Sequence, residues 1–217
     1  MKTSDKKQID LALQGGGAHG AFTWGVLDRL LDDDRIEIEG ISGTSAGAMN
    51  AVALAQGLAS GDRKKAKALL SGFWNKVSRA ARTSPIQRSF FDMMMGRWSL
   101  DLSPSFIFFE HLSRTFSPYE LNPFNINPLR DIVAEFFDFD VINSAPSPKL
   151  FLSATNVRTG RPKVFRQPKI SVDTTMASAC LPFLFHTVEI DGEGYWDGGY
   201  MGNPPLLPHR AWESSQD

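Results

Sequence analysis

Cysteine is almost absent. Cys180 is the only one in 217 residues, which excludes an internal disulfide and any zinc site built on several thiolates. That scarcity fits a reducing compartment. Histidine is scarce too: His19, His111, His186 and His209 are the whole choice for a histidine base. No stretch reaches the roughly 18 apolar residues of a membrane span. Residues 1–8 are charged and lack the apolar core of a secretory signal. A soluble, cytoplasmic protein is therefore expected, with room for peripheral contact with a membrane. Neither sign of charge dominates, since 23 Lys and Arg face 24 Asp and Glu, so no basic field exists to attract nucleic acid and no such partner is expected. Length suits one good-sized core and is short for two, so a single domain over 1–217 is the expectation.

What is present has the order of an α/β fold. Residues 9–13 read as a short strand that stops at Gly15-Gly16-Gly17. A helix follows over about 18–31, with Phe22, Val26, Leu27, Leu30 and Leu31 assigned to one face. Residues 36–41 read as a second strand ended by Ser42 and Gly43, and the Ala-rich run 46–58 as a well-buried helix. Strand, glycine loop, helix, strand, turn and helix open a fold with parallel strands. A charged helix is expected over 62–82, and 84–128 reads as an irregular insertion rich in Phe. Residues 131–137 look helical, 144–148 a linker, 150–154 and 163–165 strands, and 172–179 a helix closed by Pro182. Residues 188–190 and 195–196 flank Asp191-Gly192, a hairpin signal. The polar stretch 206–217 is expected to be a disordered tail.

Gly43-Thr44-Ser45-Ala46-Gly47 fits G-x-S-x-G, and it falls between a predicted strand and a predicted helix, as a nucleophile elbow requires. Ser45 would then stand at a helix N-terminus, where free N–H groups favour negative charge. An ordinary strand-to-helix turn has the same five residues often enough to stay open. Gly15, Gly16, Gly17 and Ala18 follow the first strand, so their backbone N–H groups are candidates for an oxyanion hole. A rival reading takes Gly15, Gly17 and Gly20 as G-x-G-x-x-G, with Glu39 as the ribose-binding acid of a dinucleotide site. The serine turn directly after Glu39 weighs against it, because a nucleotide site gives that turn no purpose.

A serine nucleophile needs a base. The order Ser45, Asp197, His209 fits an α/β-hydrolase triad, yet His209 lies in the polar tail. Asp197 follows the predicted strand at Tyr195-Trp196 and precedes Gly198-Gly199, which leave room for a neighbour. Partial burial beside Trp196 would raise its pKa and make it a better base. A plain Asp-Gly turn is the alternative.

Together these motifs resemble the patatin-like phospholipase family. The resemblance rests on Gly15-Gly16-Gly17-Ala18-His19-Gly20, Gly43-Thr44-Ser45-Ala46-Gly47 and Asp197-Gly198-Gly199. Ala177-Ser178-Ala179-Cys180-Leu181-Pro182-Phe183 and Asn203-Pro204 agree with it, so it spans about 8–205. It implies a three-layer α/β/α sandwich with a mainly parallel central sheet. It also implies a Ser45–Asp197 dyad that needs no histidine, metal or cofactor, an oxyanion loop at Gly15 to Ala18, and phospholipids or other lipid esters as substrates.

Two departures stand out. His19 occupies a position where many members carry Arg or Lys. Family domains usually continue well past Asp-Gly-Gly, so a C-terminally truncated domain is expected, and an inactive homologue that only binds lipid is a further alternative. In the insertion, Trp98, Phe106, Ile107, Phe108 and Phe109 fit either a lid or membrane patch, or a core under a long connection. Arg79, Arg82, Arg88 and Arg97 would face anionic headgroups in the first case.

Overall fold

The computed structural model describes residues 6–81 and 116–206. Strand β1 (Lys7–Leu13) pairs in parallel with β2 (Ile36–Gly43), which pairs in parallel with β3 (Lys149–Asn156). The helices α1 (Gly20–Leu30), α2 (Ala46–Leu58), α3 (Arg63–Ala81), α4 (Pro118–Leu121), α5 (Pro128–Phe136) and α6 (Phe139–Ser144) precede β3. Strand β4 (Pro162–Arg166), helix α7 (Val172–Ser178) and the hairpin β5 (Val188–Ile190) and β6 (Glu193–Asp197) follow it. The chain thus forms the expected α/β fold around a mainly parallel central sheet, with β4 and the hairpin joining antiparallel.

The register around β3 decides where the chain's motifs meet. Leu152 pairs with Gly43 of β2 and with Phe165 of β4, so β2 and β4 lie on opposite edges of β3. Ala154 pairs with Lys163 of β4 and with Asp197 of β6, so β6 also lies opposite β4. Strands β2 and β6 therefore share one edge of β3 and run toward each other along it. One ends at Gly43 and the other at Asp197, opposite β3 residues that are two positions apart.

Helix α2 lies on this sheet, against β1, β2 and β3, while α1 and α3 pack outside it. Its run from Ala46 to Gly57 is buried throughout, as the Ala-rich composition predicts, since small side chains let backbones approach closely. The single apolar face assigned to α1 is a correction. Leu27 and Leu31 are buried, but Phe22 and Val26 are 79% and 51% exposed and line an open groove of about 760 Å³ with Arg29 and Leu30. At about 100° per residue, the Phe22–Val26 stripe is rotated away from the Leu27–Leu31 stripe, and only the second meets the core.

The expected linker at 144–148 begins inside α6, whose first turn is closed by the Asp138 carboxylate accepting from the N–H groups of Asp140 and Val141, each at 3.1 Å. Of the insertion, Phe116 onward is described and carries α4 with a Ser117–Glu120 capping box. Arg82, Arg88, Arg97, Trp98, Phe106, Ile107, Phe108, Phe109 and His111 lie outside the described residues, as does His209.

Candidate active site

Ser45 leaves β2 and caps α2 with φ 55° and ψ −124°, a conformation that L-residues avoid and that a tight surround must hold. The surround is on hand. The Ser45 N–H donates to the Ser178 carbonyl at 3.0 Å and to Ser178 Oγ at 3.2 Å. Ser178 Oγ in turn donates to the Ser153 carbonyl at 2.6 Å. The last residue of α7 therefore ties the serine turn to β3.

Asp197 ends β6 facing that turn. Its N–H donates to the Cys180 carbonyl at 2.8 Å, and its carbonyl accepts from Thr155 Oγ1 at 2.8 Å. The carboxylate accepts from the Gly199 N–H at 2.7 Å, and the Ser45 hydroxyl is its other polar neighbour. Burial pushes its pKa above the usual carboxylate range, and the Ser45 hydroxyl and the Gly199 N–H oppose that rise without cancelling it. The motif residues Ser45 and Asp197 thus face each other, close enough for the serine hydroxyl to lower the carboxyl's pKa. Chemically, the pair is a hydroxyl beside a buried carboxylate with raised proton affinity. Burial of the neighbouring Cys180 thiol pushes it up to about 11, so that sulfur is a thiol at neutral pH.

The glycine loop passes over the serine. A Cβ on Gly15 would stand 2.7 Å from Ser45 Cβ, so only glycine fits there. Gly16 and Gly17 hold φ of 152° and 57°, which bends the chain into a 3-10 turn, Gly17–His19, packed against α2. Of the four residues expected as oxyanion donors, Gly15 gives its N–H to Asn203 Oδ1 at 2.6 Å, which leaves Gly16, Gly17 and Ala18 as the remaining amides of the loop. The His19 ring sits on the loop itself, Nδ1 at 3.1 Å from the Gly16 carbonyl.

The residues of the rival nucleotide reading have other employment. Glu39 stands exposed in mid-strand, where a bulge interrupts the pairing of β1 with β2, and not at the strand's C-terminal end. Gly20 is glycine because a Cβ there would meet Ala46 and Trp74, each at 2.7 Å.

A family model for patatin-like phospholipases matches residues 11–209. The chain belongs to the patatin-like phospholipase family. A cGAMP-activated phospholipase from Escherichia coli (strain TW11681) is 27% identical over 226 residues, which cover 93% of this chain and 54% of that protein. Among solved structures, VipD from Legionella pneumophila has the same fold, with a TM-score of 0.50 and 19% identity over 93% of this chain and 47% of VipD. ExoU from Pseudomonas aeruginosa, solved with SpcU, is also similar at 19% identity over 82% of this chain and 36% of its own, with a TM-score of 0.38. The patatin-like chain spans about half the length, or less, of these relatives.

Sequence reasoning left three side chains of this patatin-like site without a role. Ser178 and Asn203 stood inside motif blocks only. Asn50 gave no reading at all, although a polar residue within a buried Ala-rich helix is itself a signal. Fully buried, it donates from Nδ2 to the Gly20 carbonyl at 2.9 Å and accepts from Trp74 Nε1 at 2.8 Å. It anchors the helical end of the glycine loop.

Proposed function

We propose that this patatin-like chain is a lipid acyl hydrolase with Ser45 as nucleophile and Asp197 as base. The observation that carries the reading is the placement of Ser45, on its strained turn, against a buried carboxylate whose proton affinity is raised. As Ser45 Oγ bonds to the ester carbonyl carbon, its proton passes to Asp197 and the carbonyl oxygen becomes an oxyanion. The N–H groups of Gly16, Gly17 and Ala18 receive that charge, at the start of a loop held open by glycine. Collapse breaks the ester bond, and the leaving alcohol takes the proton from Asp197. Water then gives a proton to Asp197 and attacks the acyl-serine, and Ser45 leaves with that proton as the fatty acid departs. Histidine has no part in this cycle.

The substrate class is a phospholipid or another lipid ester, met at a surface. Leu181, Phe183, Tyr200 and Met201, on the segments beside Asp197, are 41%, 58%, 50% and 44% exposed, an apolar rim that supports peripheral contact with lipid. No helix among the described residues is long and apolar enough to cross a membrane, so contact from one side is the mode proposed.

A fluorophosphonate probe with mass-spectrometric mapping tests the assignment. Modification at Ser45, lost in Ser45→Ala and reduced at least about a thousandfold in Asp197→Asn, is the expected result. A chain that is folded by circular dichroism and still unreactive sinks it, and leaves a lipid-binding homologue without turnover.

A further inference from the structure

We propose that Asn203 is a positioning residue, one that sets the direction of the glycine loop over Ser45 by holding the Gly15 N–H. The proposal rests on the hydrolase reading above. Asn203 Oδ1 accepts from that N–H at 2.6 Å across 188 residues of sequence. The contact belongs to a strap. Within the same short stretch, the Gly202 carbonyl accepts from Thr44 Oγ1 at 3.3 Å and the Pro205 carbonyl from Ser42 Oγ at 2.7 Å. Residues 202–205 therefore reach the ends of both β1 and β2, immediately after the Asp197-Gly198-Gly199 turn. One segment binds the three motifs together.

Desolvation does not force this arrangement. Gly15 is half-buried and the loop beyond it is exposed, so water would satisfy the amide equally well. A side-chain acceptor gives instead a fixed direction to the peptide that enters Gly16 and Gly17. Positive φ at both leaves the loop without a regular backbone ladder of its own. Asn50 fixes its far end through the Gly20 carbonyl, so Asn203 and Asn50 clamp the loop from both sides. A displacement of about 1 Å in such a group is enough to lose on the order of a hundredfold in rate.

Hydrogen exchange and kinetics test this separately. In Asn203→Ala, exchange in a peptide covering 12–20 accelerates while the rest of the chain keeps its protection. On a soluble ester, kcat falls about ten- to a hundredfold with KM within about twofold. Asn203→Asp keeps an oxygen acceptor and restores the protection and most of kcat. Asn203→Gln keeps the polarity but moves the acceptor by a methylene, and it stays slow with a native melting temperature. If the alanine variant does not fold, Asn203→Gln against Asn203→Asp makes the same comparison. Unchanged exchange and kcat within twofold in Asn203→Ala overturn the proposal, and so does an Asn203→Asp as slow as Asn203→Gln. If the wild-type chain hydrolyses nothing, the hydrolase reading fails, while the exchange data still judge the clamp.

Discussion

A Cβ on Gly47 would stand 2.1 Å from the carbonyl oxygen of Leu13, so α2 sits directly on the end of β1. No rotamer relieves such a contact, because a Cβ is fixed by its own backbone and the carbonyl oxygen belongs to the main chain. Gly47→Ala is expected to cost at least about 2–3 kcal/mol, read as a lower urea midpoint at unchanged slope. Gly25→Ala is the control. Exposed in the middle of α1 with nothing within 4 Å of its Cβ position, it is expected to stabilise by about 0.5–1 kcal/mol.

The proposed base must be ionised to take the Ser45 proton. Burial raises the Asp197 pKa, so activity is lost as pH falls through a value above the usual carboxylate range. A profile of kcat/KM against pH on a soluble ester should show that acidic limb. A limb at or below the ordinary aspartate value of about 3.9 contradicts the assignment.

The same group opposes folding. A carboxylate whose pKa is raised in the folded state binds its proton more tightly there than in the unfolded chain. Its contribution to stability is therefore present at low pH and lost as pH rises through the folded pKa. Asp197→Asn keeps an acceptor for the Gly199 N–H and removes the buried charge. It should melt a few degrees higher than the wild type at pH 7, by roughly 2–4 °C per kcal/mol, and show no gain below pH 3. Equal melting temperatures across that range would mean the charge carries no such cost.

The apolar rim gives a test that separates surface from chemistry. Phe183, 58% exposed, is placed to meet lipid in the proposed mode of contact. In Phe183→Ser, turnover of phospholipid in vesicles is expected to fall about tenfold, with a soluble short-chain ester hydrolysed within twofold of wild type. Equal losses on both substrates would assign Phe183 to the site itself.

Much of this was legible because local chemistry decided it. The Ala-rich run became α2, and Asp191-Gly192, with φ of 53° and 76°, became the β5–β6 turn that dipeptide favours. Ser45 stood out because it joins a strand to a helix within G-x-S-x-G, and Asp197 because it joins a strand to two glycines. The rest depended on long-range contacts. Nothing near Phe22 or Val26 says that their stripe finds no core, and nothing near Asn203 points to Gly15. The head-on approach of β2 and β6 needs the register of β3, which a strand's own pattern does not encode.

That shared edge of β3 also makes the proposed dyad depend on the sheet. Ser45 and its turn precede the carboxylate in sequence, and the hairpin that carries Asp197 is held beside them by its pairing with β3. Without β3 the serine would lack its proposed base. The proposed hydrolytic competence is thus a property of assembled tertiary structure, and ester turnover would report formation of this part of the sheet as directly as any spectroscopic probe.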